Sequence, residues 1–120
     1  MHIISGVAKG RALKIPKSRS VRPASQKVKE ATFDILIANW AGMEDLRVLD
    51  LFAGSGSLGI EALSRGAAVA SFVEADPDVL TLIGDNLKRS GFEGRARLHK
   101  LTLPWGLKRL KGPFDLIFLD

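Results

Sequence analysis

The 120 residues contain no cysteine, which excludes a disulfide framework, a Cys-ligated zinc site and a thiol nucleophile, and fits a reducing compartment. His2 and His99 stand alone without carboxylate partners at ligand spacing, so no metal site is expected. No apolar run approaches the ~18 residues that a membrane span needs. The opening Met1-His2-Ile3-Ile4-Ser5-Gly6 is too short in apolar residues for a signal peptide. These absences describe a soluble, cytoplasmic protein. Its 46% hydrophobic and 26% charged residues are globular proportions, and the length allows one small domain.

The net charge of +5 is unevenly placed. Residues 1–30 hold eight Lys or Arg and one acid, whereas residues 31–120 hold ten basic and twelve acidic residues. A basic opening on a near-neutral body suits a polyanion, because each cation near a phosphate releases condensed counterions. Lys9, Arg11, Lys14, Lys17, Arg19 and Arg22 are the RNA-facing candidates, on the expectation that a hairpin and an extended arm project them from the body. The competing reading is a solvated tail that promotes solubility.

Residues 2–15 read as two short strands around a turn near Ala8-Lys9-Gly10, and residues 16–23 as an extended basic connector. From Ser25 to about Trp40, Val28, Ile35, Leu36 and Asn39 fall at helical spacing. Strands follow at 47–52, 68–73, 97–101 and 114–119, and helices at 58–65, 77–90 and, briefly, 104–110. Asp76 and Pro77 form an N-cap and first-turn proline, and Gly91 a stop. Such alternation, with strands of buried type, predicts an α/β fold: a parallel, Rossmann-like sheet covered by helices. Residues 1–24 form a basic hairpin and connector, and residues 25–120 the Rossmann-like part. The chain stops at Asp120, at the carboxyl end of a strand that reads as buried. The expectation is therefore a fragment with an incomplete sheet, inactive by itself.

Most of the functional information lies in residues 48–59. A strand runs into a tight turn whose glycines bring backbone N–H groups close to a ligand, and a helix then starts with its positive end facing it. Gly54, Gly56 and Gly59 satisfy G-x-G-x-x-G, and Glu74 follows twenty residues after Gly54, placed to accept hydrogen bonds from two ribose hydroxyls. A P-loop would need Lys-Ser or Lys-Thr where Ile60-Glu61 stands, and neither Ser55 nor Ser57 is flanked by glycines as in a nucleophile elbow. The choice is then between a dinucleotide and S-adenosylmethionine. Asp50 favours the second, since a fixed carboxylate would repel a pyrophosphate but attract an ammonium or sulfonium. The bland reading makes Asp50 a turn cap and Glu74 a solvated strand end. Trp40 and Trp105 read as core or rim aromatics.

In these residues the sequence resembles the class I S-adenosylmethionine-dependent methyltransferases, and among them the RsmD-like family. Ile3-Ile4-Ser5-Gly6 with Lys9-Gly10-Arg11 is similar to the family's opening hairpin. Arg22-Pro23-Ala24 with Val28-Lys29-Glu30-Ala31 is similar to its Arg-Pro-Thr…Val-[Arg/Lys]-Glu-Ala segment. Leu49-Asp50-Leu51-Phe52-Ala53-Gly54-Ser55-Gly56 resembles its cofactor loop, Phe72-Val73-Glu74 its ribose-binding strand end, and Phe114 to Asp120 the strand entering its Asp-Pro-Pro-aromatic motif. The resemblance implies transfer of a methyl group to N2 of a guanine in small-subunit (16S) ribosomal RNA, free or in the assembled subunit. It implies a cofactor site of Asp50, Phe52, Ala53, Gly54, Ser55, Gly56, Gly59, Glu74, Ala75 and Thr102, and a catalytic Asp120. Ala24 stands where the family carries threonine, and Thr102 where it carries Asp or Asn. Two other readings stay open: an NAD-type Rossmann oxidoreductase, and a non-catalytic RNA-binding module.

Overall fold

The structure is a computed structural model that describes residues 1–15, 26–40, 42–51 and 53–119. Four strands form one parallel sheet: β1 (Arg47–Leu51), β2 (Val69–Glu74), β3 (Ala96–Lys100) and β4 (Leu116–Leu119), in the order β3-β2-β1-β4. Three helices accompany them: α1 (Gln26–Asn39), α2 (Ser57–Ser64) and α3 (Pro77–Ser90). The chain steps outward from β1 to β3 and then returns to the other side of β1. The topological switch therefore lies between β1 and β4, where open α/β sheets place their ligands.

Local sequence explains the α3 boundaries. The Asp76 carboxylate accepts from the Asp78 N–H at 2.9 Å, Pro77 opens the first turn, and Gly91 ends the helix with φ of 81°. One sheet face carries Val48, Ala70, Phe72 and Phe118, packed against Phe33, Ile60, Leu63 and Ile83 of the helices. The opposite face carries Leu49, Leu51 and Val73 under Leu101, Leu103, Leu110 and Phe114 of the β3–β4 connection.

The structure differs from the sequence expectation in four places. Residues 2–15 do not form two strands; they make a single antiparallel bridge between His2 and Ala12. The ladder cannot continue because other groups take its N–H donors: Ile4 and Ser5 donate to the Glu61 carboxylate at 2.9 and 3.1 Å, and Ala8 donates to Ser64 Oγ at 3.1 Å. Nor does this segment project from the body, since Ile3, Ala8 and Leu13 are buried in the same core as α2 and α3. In α1 the helical spacing holds but the buried residues are Lys29 and Phe33, while Val28 and Ile35 are exposed. Strand β3 is not buried: Leu98 lies open, because β3 borders the sheet, whereas in β4 Phe118 is buried in the core and Ile117 and Leu119 are exposed in this chain. Last, residues 105–109 form a 3₁₀ turn rather than an α-helix.

Lys29 is buried because Glu61 is. The Glu61 carboxylate, fully enclosed, receives Ile4 N–H, Ser5 N–H, Arg65 Nε at 2.9 Å and Lys29 Nζ at 3.4 Å. Lys29 also donates to the His2 carbonyl at 2.8 Å. Burial pulls the Lys29 ammonium below its ordinary pKa, and the adjacent carboxylate opposes that shift. Removing one charge of such a cluster leaves the others uncompensated. Glu61→Gln is expected to lower the unfolding free energy by about 3–5 kcal/mol in urea titrations. Lys29→Met should cost less, because Glu61 keeps Arg65 and two amides.

Candidate functional site

The glycine turn leaves β1 at its carboxyl end and is fixed from three sides. Ala53 N–H donates to the Val73 carbonyl at 3.1 Å, tying the turn to β2, and Gly56 N–H closes it on the Ala53 carbonyl at 2.8 Å. Asn86 of α3, fully buried, donates to the Ser55 carbonyl at 2.9 Å. Gly54 and Gly56 have φ of 56° and 79°, left-handed values that a side chain would resist.

Gly56 is also the N-cap of α2 and has no side chain to offer. The cap comes from the sheet instead. Asp50 Oδ2 accepts the N–H of Gly59, in the first turn of α2, at 3.1 Å. Asp50 points into the helix layer, as Val48 does two residues earlier, and is 1% exposed. It lies behind the turn, with Oδ2 committed to the start of α2. Its negative charge complements the positive end of α2. Gly59 belongs to the same contact: a Cβ there would overlap the Phe72 ring and stand 3.3 Å from Asp50 Oδ2, so glycine is what lets α2 lie close to β2.

Glu74 faces the front of the turn. It is half-buried, and its two oxygens accept long bonds from Gly54 N–H (3.5 Å) and Asp76 N–H (3.4 Å). A carboxylate held this loosely, beside a turn of small residues, has room to exchange those amides for a ligand's hydroxyls. Ala75 and Thr102 are exposed at the ends of β2 and β3, and Leu101 N–H donates to the Glu74 carbonyl at 3.3 Å, joining the two strand ends. The structure thus gathers Ala53, Gly54, Ser55, Gly56 and Glu74 around one turn, with Asp50 and Gly59 behind it and Ala75 and Thr102 at its margin. Phe52 and Asp120 lie outside the described residues.

Of the basic candidates, Lys17, Arg19 and Arg22 also lie outside the described residues. Lys9 is exposed. Arg11 Nη1 donates to the Arg89 carbonyl at 3.0 Å, and Lys14 Nζ lies 3.9 Å from Asp85 across exposed surface. The Lys14 backbone is held more firmly: its N–H donates to Asn86 Oδ1 at 2.8 Å and its carbonyl accepts from Asn86 Nδ2 at 2.9 Å. One buried amide therefore joins the basic segment to the glycine turn. Sequence reasoning missed this residue, because an Asn within a helical pattern carries no local sign of its partners. Among the described residues, no three His, Asp or Glu side chains converge as metal ligands, and no helix is long and apolar enough to cross a membrane.

A family model described as Conserved hypothetical protein 95 matches residues 1–120. The putative rRNA methyltransferase YlbH of Bacillus subtilis is 42% identical over 124 residues, covering 100% of this chain and 65% of its own length. Ribosomal RNA small subunit methyltransferase D of Escherichia coli (strain K12) is 37% identical over 122 residues, covering 100% of this chain and 59% of its own length. The solved structure of a putative methyltransferase, yhhF, from Escherichia coli superimposes with a TM-score of 0.82 at 36% identity, over 100% of this chain and 63% of that one. The chain thus spans about three-fifths of the length of the curated relatives it matches. Its fold is the Rossmann-like fold of the class I methyltransferases.

Substitutions at two positions separate the roles behind the turn. Asp50→Ala is expected to cost about 1–2 kcal/mol of stability by orphaning the Gly59 N–H, whereas Asp50→Asn, which keeps an acceptor, should cost less. Gly59→Ala should cost about 1–3 kcal/mol through overpacking against Phe72. Thermal unfolding without added ligand reads all three.

Proposed function

The chain belongs to the Conserved hypothetical protein 95 family, and from that membership we propose that the protein transfers a methyl group from S-adenosylmethionine to N2 of a guanine in small-subunit ribosomal RNA, in the cytoplasm. The observation that carries this reading is the half-buried Glu74 carboxylate, loosely bonded at 3.5 and 3.4 Å, facing a turn with left-handed glycines at 54 and 56. The names of the relatives at 42% and 37% identity support the RNA substrate.

When bound, S-adenosylmethionine supplies a methyl group on a sulfonium, ready for in-line displacement. The residues here fit its polar parts. Glu74 accepts from the ribose hydroxyls, and the Cβ-free turn lets its backbone approach the methionine portion. Thr102 and Ala75 border the adenine side. Asp50 acts indirectly, by holding the α2 end of the turn in place.

The acceptor end rests on Asp120, assigned by resemblance. Guanine's exocyclic amino group is a poor nucleophile because its lone pair is delocalised into the ring. A carboxylate that accepts its N–H bonds turns the lone pair toward the methyl group and holds the departing proton at its own oxygen. The base must first leave its stack to reach that position. Lys9, Arg11, Lys14, Lys17, Arg19 and Arg22 contribute contacts to the RNA backbone.

Titration calorimetry tests the cofactor first. S-adenosylhomocysteine should bind in preference to NADH, and Glu74→Ala should weaken that binding about ten-fold or more, the size of a lost charge-assisted hydrogen bond. Preferential NADH binding would reassign the chain to the oxidoreductases. In protein competent for methyl transfer to small-subunit RNA, Asp120→Ala should abolish transfer and leave S-adenosylhomocysteine affinity intact.

A further inference from the structure

The near-neutral charge of residues 31–120 conceals a second basic segment. Residues 94–114 hold Arg95, Arg97, Lys100, Lys108, Arg109 and Lys111 and not one acid. Arg95 is committed to the fold, donating to the Leu63 and Ala67 carbonyls and lying over the Phe92 ring. Among the described residues, the other five cations form no ion pair or side-chain hydrogen bond. Trp105 stands among them, 77% exposed.

That exposure does not come from a loose turn. Gly106 is buried so tightly that a Cβ would stand 2.6 Å from Leu101 Cβ, and its N–H donates to the Thr102 carbonyl at 2.8 Å. Leu101 and Leu110, on either side, pack on Leu49, Leu51 and Val73. The turn is anchored, and it presents the indole to solvent. Lys100, Thr102, Trp105 and Arg109 line an open recess of about 320 Å³, at the lower end of the roughly 300–1,000 Å³ that ligand sites occupy. The recess sits at the end of β3, an edge strand, beside the strand end that carries Glu74.

We propose that this recess is a platform for single-stranded RNA, on which the Trp105 indole stacks a base while Lys100 and Arg109 contact the adjoining phosphates. An open aromatic face among unpaired cations is the combination that binds single strands without reading their sequence. The platform rests on the reading of the protein as an RNA methyltransferase and adds to it a second contact surface. Ile3, Ala8 and Leu13 seat the opening segment on the helix-covered face of the sheet, whereas the platform belongs to the connection over the opposite face.

The chain has two tryptophans, so Trp40→Phe leaves Trp105 as the sole indole reporter. Titration of the full chain with oligouridylate should quench its fluorescence. In the wild-type background, Trp105→Ala should weaken oligouridylate binding by about 5- to 150-fold, the range for one stacked base. The double variant Lys100→Gln, Arg109→Gln should reduce the slope of log K against log salt by about 1.4, for two single-strand phosphate contacts. S-adenosylhomocysteine affinity, unchanged in each variant, shows that the fold and the neighbouring cofactor site persist. Wild-type affinity and salt slope retained in these variants would overturn the platform while leaving the methyltransferase reading standing. Absence of both oligouridylate and S-adenosylhomocysteine binding in the wild type would overturn both. Concentration-dependent self-association that Trp105→Ala abolishes, without RNA binding, would assign the face to a second copy of the chain and overturn the proposal.

Discussion

Glu61 holds together three parts of the chain that lie far apart in sequence. Its carboxylate is fully enclosed and takes two backbone N–H groups from the opening segment, the ammonium of Lys29 on α1 and the guanidinium of Arg65 just past α2. Four donors on two oxygens satisfy a buried charge about as fully as a protein can, which is the condition under which enclosing it is tolerable. Arg65 in turn lies 4.7 Å from the centre of the Phe33 ring, and Phe33 meets Phe118 at 5.7 Å, so the cluster reaches β4 as well. The opening turn, α1 and the helix that starts at the glycine turn thus form a single rigid unit.

Rigidity matters because the glycine turn has little of its own. Its residues are small, and the helix it launches is capped by a glycine that cannot cap. The neighbours supply the missing bonds: β1 through Asp50, β2 through the Val73 carbonyl, α3 through Asn86. Side chains that would occupy the front of the turn are replaced by side chains reaching in from behind. Among the described residues, the front is left with backbone and Glu74.

Features written in adjacent residues were legible in the sequence, and features that depend on a distant partner were not. The Asp76-Pro77 start and the Gly91 stop of α3 are local chemistry, and the structure matches both to the residue. The glycine turn and the parallel sheet follow from spacing and alternation in the same way. Lys29 is different, because nothing in Val28-Lys29-Glu30 reveals a carboxylate thirty-two positions later that will draw it inward. The same holds for Asp50: its position in β1 is readable, but which face it takes depends on where α2 packs. Strand burial fails for a related reason. Alternation marks β3 as a strand without saying that it borders the sheet, and Leu98 stays exposed there.

The charge distribution is the last consequence of this layout. Counted along the sequence, the surplus of cations lies in residues 1–30; beyond them a second run of cations, residues 94–114, follows a stretch in which the acids are concentrated. Residues 31–93 carry ten acids against four basic residues, and several of those acids, Asp50, Glu61 and Asp76, are committed to bonds with backbone N–H groups. Acids that cap helices and close turns present less free charge to a polyanion than their number suggests. The cations at the end of β3 have no such internal duties. A composition near neutrality therefore conceals a division of labour, in which carboxylates build the fold and exposed lysines and arginines face outward.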